Sequence, residues 1–217
     1  MEVLYRALRT SVGRKALVAA SGLTFAAWCT VHVLGNFAAF AGPAALDGYA
    51  AWLRRGYGVP LWTMRLALAT VVVAHAGLGL LLWRRARAAR TEPYRLISHA
   101  HSSLASRAVR WCGVGLGVFL VFHVLHVNFG LFLPGFVRGH VYANMARAFA
   151  SWPMLTVYLL ASLLVGVHLA HGFGAALSSL GWLASSATTR RLGLVLAVPL
   201  VLGFAAAPLA LGLGVLP

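Results

Sequence analysis

The sequence predicts an all-α membrane protein with five transmembrane helices. Three observations carry that prediction. Apolar residues make up 61% of the 217 positions and charged residues only 10%, with a mean hydropathy of +0.84, too little charge to cover a soluble domain of this size. Five apolar runs are each long enough to cross a hydrocarbon core, which takes about 20 residues. The formal charge of +15 comes from 18 Lys and Arg against three acids, Glu2, Asp47 and Glu92. These cations stand in short clusters between the apolar runs, the pattern of a chain threaded through a bilayer with anionic headgroups and not of a nucleic-acid binder.

The runs lie near Ala16–Ala41, Leu61–Trp83, Trp111–Leu133, Met154–Leu180 and Leu192–Leu213, within a single integral-membrane domain over residues 1–217. The first is longer than the apolar core of a leader peptide and carries His32 and Asn36 deep inside it, so it reads as a span. Between the first two runs, Gly42–Pro60 mixes Gly and Pro with Asp47, Trp52 and Tyr57, a composition suited to a short amphipathic helix at the interface. The second and third are joined by the most basic connection, with seven arginines from Arg84 to Arg110. Strand-like alternation with regular turn signals is absent, which argues against a β-barrel. Cys29 and Cys112 both sit inside apolar runs and read as core residues, neither a disulfide framework nor a zinc site.

Orientation follows from the basic residues. With the N-terminus in the cytoplasm, 13 of the 18 cations fall on the inner side and Arg54, Arg55, Arg65, Arg138 and Arg147 on the outer, which satisfies the positive-inside rule. The Arg84–Arg110 connection then reads either as ordinary topology-setting charge or as a docking surface for a cytoplasmic partner.

Histidines carry the chemistry. Six of the nine fall in the proposed spans: His32, His75, His123, His126, His168 and His171. An ionisable side chain in the hydrocarbon region is costly and marks a functional site by default. The first four spans each carry at least one near mid-depth, and the fifth carries none. Neutral imidazole binds iron, zinc, copper or nickel, but zinc favours a tight cluster with carboxylate or thiolate help, and no acid lies in any span. Histidines on opposed helices, with glycines close by in sequence, suit a flat porphyrin held between two axial ligands. Four helices then hold two bis-histidine haems, and the fifth helix packs outside that core.

Depth sorts the helices into pairs. At about 1.5 Å per residue, His32 and His123 lie about 14–15 Å from the outer ends of their spans, and His75 about 12 Å from the inner end of its own. On the fourth span His168 lies about 18 Å and His171 about 14 Å from the inner end. One haem is therefore expected between helices one and three on the outer side, the other between helices two and four on the inner side. Each doublet is spaced i, i+3 and shares a helix face, so spacing does not choose between its members. Depth favours His123 over His126 and slightly favours His171 over His168.

The order of these motifs resembles a known family over nearly the whole chain. Ser11-Val-Gly-Arg-Lys15 followed by Ser21-Gly22-Leu23 is similar to the start of helix one in the five-helix, di-haem cytochrome b membrane anchors of succinate:quinone oxidoreductases. His32-Val-Leu-Gly-Asn36, Tyr49, His75 in Ala-His-Ala-Gly, Ser106-Arg107, Phe122-His123-Val124-Leu125 and His168-Leu-Ala-His171-Gly172 follow in the family's order. The resemblance implies two haem b, with His32 and His123 as axial ligands of the outer iron and His75 and His168 of the inner iron, and with His126 and His171 beside the haems. Some relatives carry a glutamate two residues before the helix-four ligand; this chain has Gly166 there.

The same resemblance implies a bacterial cytoplasmic membrane protein bound to a flavoprotein subunit and an iron–sulfur subunit. Electrons would pass from the latter through the haems to a quinone, menaquinone in the single-anchor form, or back during fumarate reduction. The chain has no flavin fingerprint and no cysteine cluster, so those centres belong to the partners. The quinone is expected near the outer haem, around Asp47, Trp52 and Tyr57. Two other readings remain open at this point: a haem b anchor of a hydrogenase or formate dehydrogenase, and a small cofactor-free transporter.

Overall fold

The computed structural model describes residues 8–89, 104–182 and 186–216. Among them all regular structure is helical, and five helices are long and apolar enough to cross a membrane. The chain is a multi-pass membrane protein. The long helices are α1 (Ser11–Asn36), α3 (Gly58–Ala88), α4 (Leu104–Phe129), α6 (Trp152–Ser179) and α7 (Ser186–Gly212); α2 (Pro43–Gly56) and α5 (Val141–Phe149) are short.

Local chemistry sets the boundaries. Thr10 Oγ1 accepts the Gly13 N–H at 3.0 Å and caps the start of α1. Arg14 follows, buried, its guanidinium donating to the carbonyls of Thr10 and Arg9. Past Asn36 the chain tightens into a 3₁₀ turn over Phe37–Ala41, and Gly42, at φ +92°, breaks it so that Pro43 can open α2. Arg54 and Arg55 stand in the last turn of α2, where cations suit the helix dipole.

The third span ends short of the Leu133 expected from hydropathy. Gly130 adopts φ +70° directly after Phe129, and the Leu131 N–H returns to the Leu125 carbonyl at 3.3 Å, a glycine-terminated helix end. Leu131, Phe132 and Leu133 are apolar turn residues, not span. The turn is tied down by α5: Asn144 exchanges hydrogen bonds with both the N–H and the carbonyl of Val137, and Arg147 donates to the Gly135 carbonyl and to Asn144 Oδ1. The helices flanking connection 84–110 also run past the apolar spans Leu61–Trp83 and Trp111–Leu133, since α3 continues to Ala88 and α4 begins at Leu104.

Hydrophobic packing concentrates where α2 and α5 cover one end of the bundle. Ala39, Leu46, Tyr142, Ala148, Phe149, Leu155, Ala207 and Leu211 form a buried cluster there, called the capped end below. The opposite end carries Arg14, Lys15, Arg84, Arg85, Arg87, Arg110, Arg190 and Arg191. Between them, α6 is central and packs on α7, α4 and α1, while α1 also packs on α3 and α7. Small residues permit the closest approaches, as expected where lipid supplies no hydrophobic drive between helices. Gly193 of α7 lies on the Ala170 carbonyl, Gly174 of α6 would place a Cβ 2.7 Å from the Thr189 carbonyl, and buried Gly166 faces Val201. Two prolines, Pro199 and Pro208, sit inside α7, tolerated in a helix whose freed carbonyls find neighbours in a bundle. By contrast α3 has no buried residue.

Candidate functional site

Four of the histidines meet in two pairs. The rings of His32 on α1 and His123 on α4 are 6.0 Å apart centre to centre and nearly perpendicular; those of His75 on α3 and His168 on α6 are 6.3 Å apart. The helices bearing each pair, α1 with α4 and α3 with α6, are not among the closely packed pairs of the described residues. Each pair therefore meets through its imidazole rings and not through closely packed backbones. Two metal–imidazole bonds of about 2 Å, plus about 1.1 Å from each nitrogen to its ring centre, span about 6.2 Å. Both pairs match that span.

Hydrogen bonding fixes which nitrogen each imidazole of the second pair presents. His168 Nδ1 lies 3.1 Å from the Val109 carbonyl, which can only accept, so Nδ1 carries the proton and Nε2 is bare. His75 Nδ1 lies 2.9 Å from Ser21 Oγ, and that hydroxyl spends its own proton on the Val18 carbonyl at 2.9 Å. His75 Nδ1 therefore donates, and its Nε2 is bare as well. A bare Nε2 oriented by an Nδ1–H bond is the usual state of a metal-ligating histidine.

Glycines shape this pair's surroundings symmetrically. A Cβ on Gly22 of α1 would lie 3.3 Å from His75 Cε1, and one on Gly113 of α4 would lie 3.3 Å from His168 Cε1. Each ring is thus seated in a notch of the neighbouring helix. One turn beyond each histidine, Gly79 and Gly172 have open space where a side chain would stand. The i, i+4 spacing puts these openings on the histidines' own faces. Phe25 packs edge-on against His75 at 6.0 Å.

Aromatic side chains surround the other pair. Trp28 stacks on His32 at 6.1 Å, Phe204 of α7 lies 6.0 Å from it, and Phe119 stacks on His123 at 5.6 Å. Tyr158 on α6, absent from the sequence reading, stands between the histidines of α4: its hydroxyl is 3.3 Å from His123 Nδ1 and 2.7 Å from His126 Nδ1. His126 is buried and stacks on Phe122 at 5.3 Å. A lone tyrosine in an apolar run reads as core, and only the interhelical geometry exposes its role.

The remaining predicted residues separate from these pairs. His171 is half-buried one turn past His168, and His168, not His171, faces His75. Asp47 Oδ1 accepts the Tyr142 N–H at 2.9 Å, joining α2 to the start of α5. Trp52 and Tyr57 pack edge to face at 4.8 Å and are both exposed. Tyr49 stacks on Trp52 at 6.2 Å and presses its hydroxyl on Gly35, where a Cβ would lie 2.9 Å away. This aromatic row therefore sits over the end of α1, one turn beyond His32. At the arginine-rich end Trp83 lies under Arg87 at 5.2 Å and Arg110 of α4 at 5.6 Å, cation–π contacts that link α3 to α4. Among the described residues no three His, Cys, Asp or Glu side chains converge on a point; the imidazoles come in twos.

No family model, no curated protein and no solved structure matches this chain.

Proposed function

We propose that this chain is the membrane-anchor cytochrome b subunit of a succinate:quinone oxidoreductase, holding one haem b between His75 and His168 and a second between His32 and His123. The observation that carries the reading is the arrangement of four imidazoles from four spans as two opposed pairs, at the separation two axial ligands require. When bound, such a haem would supply reversible one-electron chemistry.

The protein's own groups do the rest. Ser21 and the Val109 carbonyl hold the Nδ1 protons of the inner pair, which would leave each Nε2 free to bind iron. Trp28, Phe119 and Phe204 line the outer pair and exclude water. Ser21, against His75, and His32 stand eleven residues apart on α1, so the two levels are about 16 Å apart along the helix axis. In this reading the two irons would lie at two depths of one membrane.

In this reading the arginine-rich end faces the cytoplasm and receives the iron–sulfur subunit, which with the flavoprotein supplies the succinate chemistry. The quinone, menaquinone in the single-anchor form, meets the chain at the capped end near α2, whose exposed Trp52 and Tyr57 lie close to His32's helix turn. Localisation in a bacterial cytoplasmic membrane goes with this assignment. The test is isolation of the assembled complex from native membranes, with subunit identification and a reduced-minus-oxidised spectrum. The proposal expects a flavoprotein, an iron–sulfur protein and b-type absorption in one complex; a hydrogenase or formate dehydrogenase partner, or a preparation without haem, overturns it.

A further inference from the structure

We infer that Tyr158 is a positioning residue for the outer axial ligand, acting through a proton-ordered chain from His123 to His126. The inference rests on the haem reading above. A His123 that ligates iron through Nε2 must carry its proton on Nδ1, which points at Tyr158 Oη from 3.3 Å. The phenol oxygen accepts that proton's bond and has a single proton of its own, which goes to His126 Nδ1 at 2.7 Å. His126 Nδ1 must then be bare, and its proton sits on Nε2.

The last link is visible as an anomaly. His126 is 3% exposed, and its Nε2 is buried with no hydrogen-bond partner among the described residues. A histidine kept only for packing or for crosslinking helices would gain by satisfying both nitrogens, because an unpaired buried polar atom is unfavourable. Here one nitrogen is left unpaired while the other holds the shortest of the histidine hydrogen bonds at this site. That is the expected outcome if His126 serves to orient the Tyr158 hydroxyl. The ring of Tyr158 is itself held from several sides, by Phe119 at 5.2 Å, Phe122 at 6.3 Å and Phe149 of α5 at 5.0 Å. Its oxygen therefore has little freedom to serve another partner.

The arrangement makes the two haem sites chemically unequal. Inner ligands are oriented by a backbone carbonyl and by a serine fixed to its own helix. At the outer site His123 is oriented by a side chain from α6, itself oriented by a second histidine. Groups that hold a ligand's second nitrogen tune the ligand's basicity and with it the metal's potential.

The test uses the intact complex and reads each haem by redox titration and by low-spin EPR. Tyr158→Phe keeps the aromatic packing and removes only the hydroxyl. It should shift the midpoint potential and EPR signal of one haem, the one lost in His123→Ala, and leave the other at its wild-type values. His126→Leu should shift the same haem, and His126→Gln, whose amide oxygen can accept the phenol proton, should restore it towards wild type. An unshifted Tyr158→Phe spectrum, or equal shifts in both haems, overturns the inference. Absence of haem in the wild-type complex overturns instead the reading on which it rests.

Discussion

Gly22 and Gly113 provide the sharpest perturbation of the inner pair, because each lies on a helix that bears a ligand of the other pair. Neither glycine contacts His32 or His123 among its near neighbours; a Cβ at either would meet the ring of His75 or His168 at 3.3 Å. Valine adds two further carbons, each about 1.5 Å beyond that Cβ, so the imidazole must move or the helices must part. Forcing extra carbons into a packed site costs about 1–3 kcal/mol, and about 1.4 kcal/mol is tenfold in affinity. Inner-haem occupancy should therefore weaken by about 5- to 150-fold. Helix propensity works the other way, since replacing a mid-helix glycine helps the helix itself by a few tenths of a kcal/mol, so a loss reports the contact. The assay is haem content per chain with EPR of each low-spin signal, calibrated by His75→Ala and His168→Ala. Gly22→Val and Gly113→Val should both lose the signal those variants lose, while Gly77→Val, with nothing within 4 Å, should keep both. Loss of the His32–His123 signal instead, or full retention of both haems, would refute the reasoning.

Three further outcomes follow from separate contacts. Gly166→Glu should prevent assembly or sharply lower thermal stability, because buried Gly166 already touches Val201 of α7; a stable variant with native haem content would show that α6 and α7 pack differently. Asp47→Ala should cost about 1 kcal/mol by leaving the Tyr142 N–H uncapped, seen as a lower Tm with both haems retained; loss of a haem would give Asp47 a larger role. Single cysteines placed at Arg85 and at Asp47 should label from the cytoplasmic and the outer side respectively, and reversed labelling would invert the topology and the order of the haems.

Much of this was legible because lipid makes polar residues conspicuous. A histidine in an apolar run announces itself, and one per span on four spans already restricts the pairing. Depth arithmetic gives the pairs of helices but slightly favours His171 over His168. Span ends read from hydropathy drift by a turn, and Leu131–Leu133 show why: apolar residues in a turn count as membrane until Gly130 is seen at positive φ. The short helix α5 escaped because it has only nine residues, with its apolar side, Tyr142, Ala148 and Phe149, turned into the capped end. Tyr158 and Gly113 went unseen, and Gly22 entered only as part of a motif, for a different reason. Their roles lie in contacts between helices distant in sequence, and neither composition nor periodicity encodes which face meets which neighbour.

The most direct measurement of the central claim is a haem count on the purified complex in wild type and in four single variants. Two b-type haems per anchor are expected in the wild type. His32→Ala and His123→Ala should each lose one and the same low-spin signal, His75→Ala and His168→Ala the other, with His171→Ala retaining both. A single haem in the wild type, or a His32→Ala variant that loses the signal lost in His168→Ala, would contradict the account.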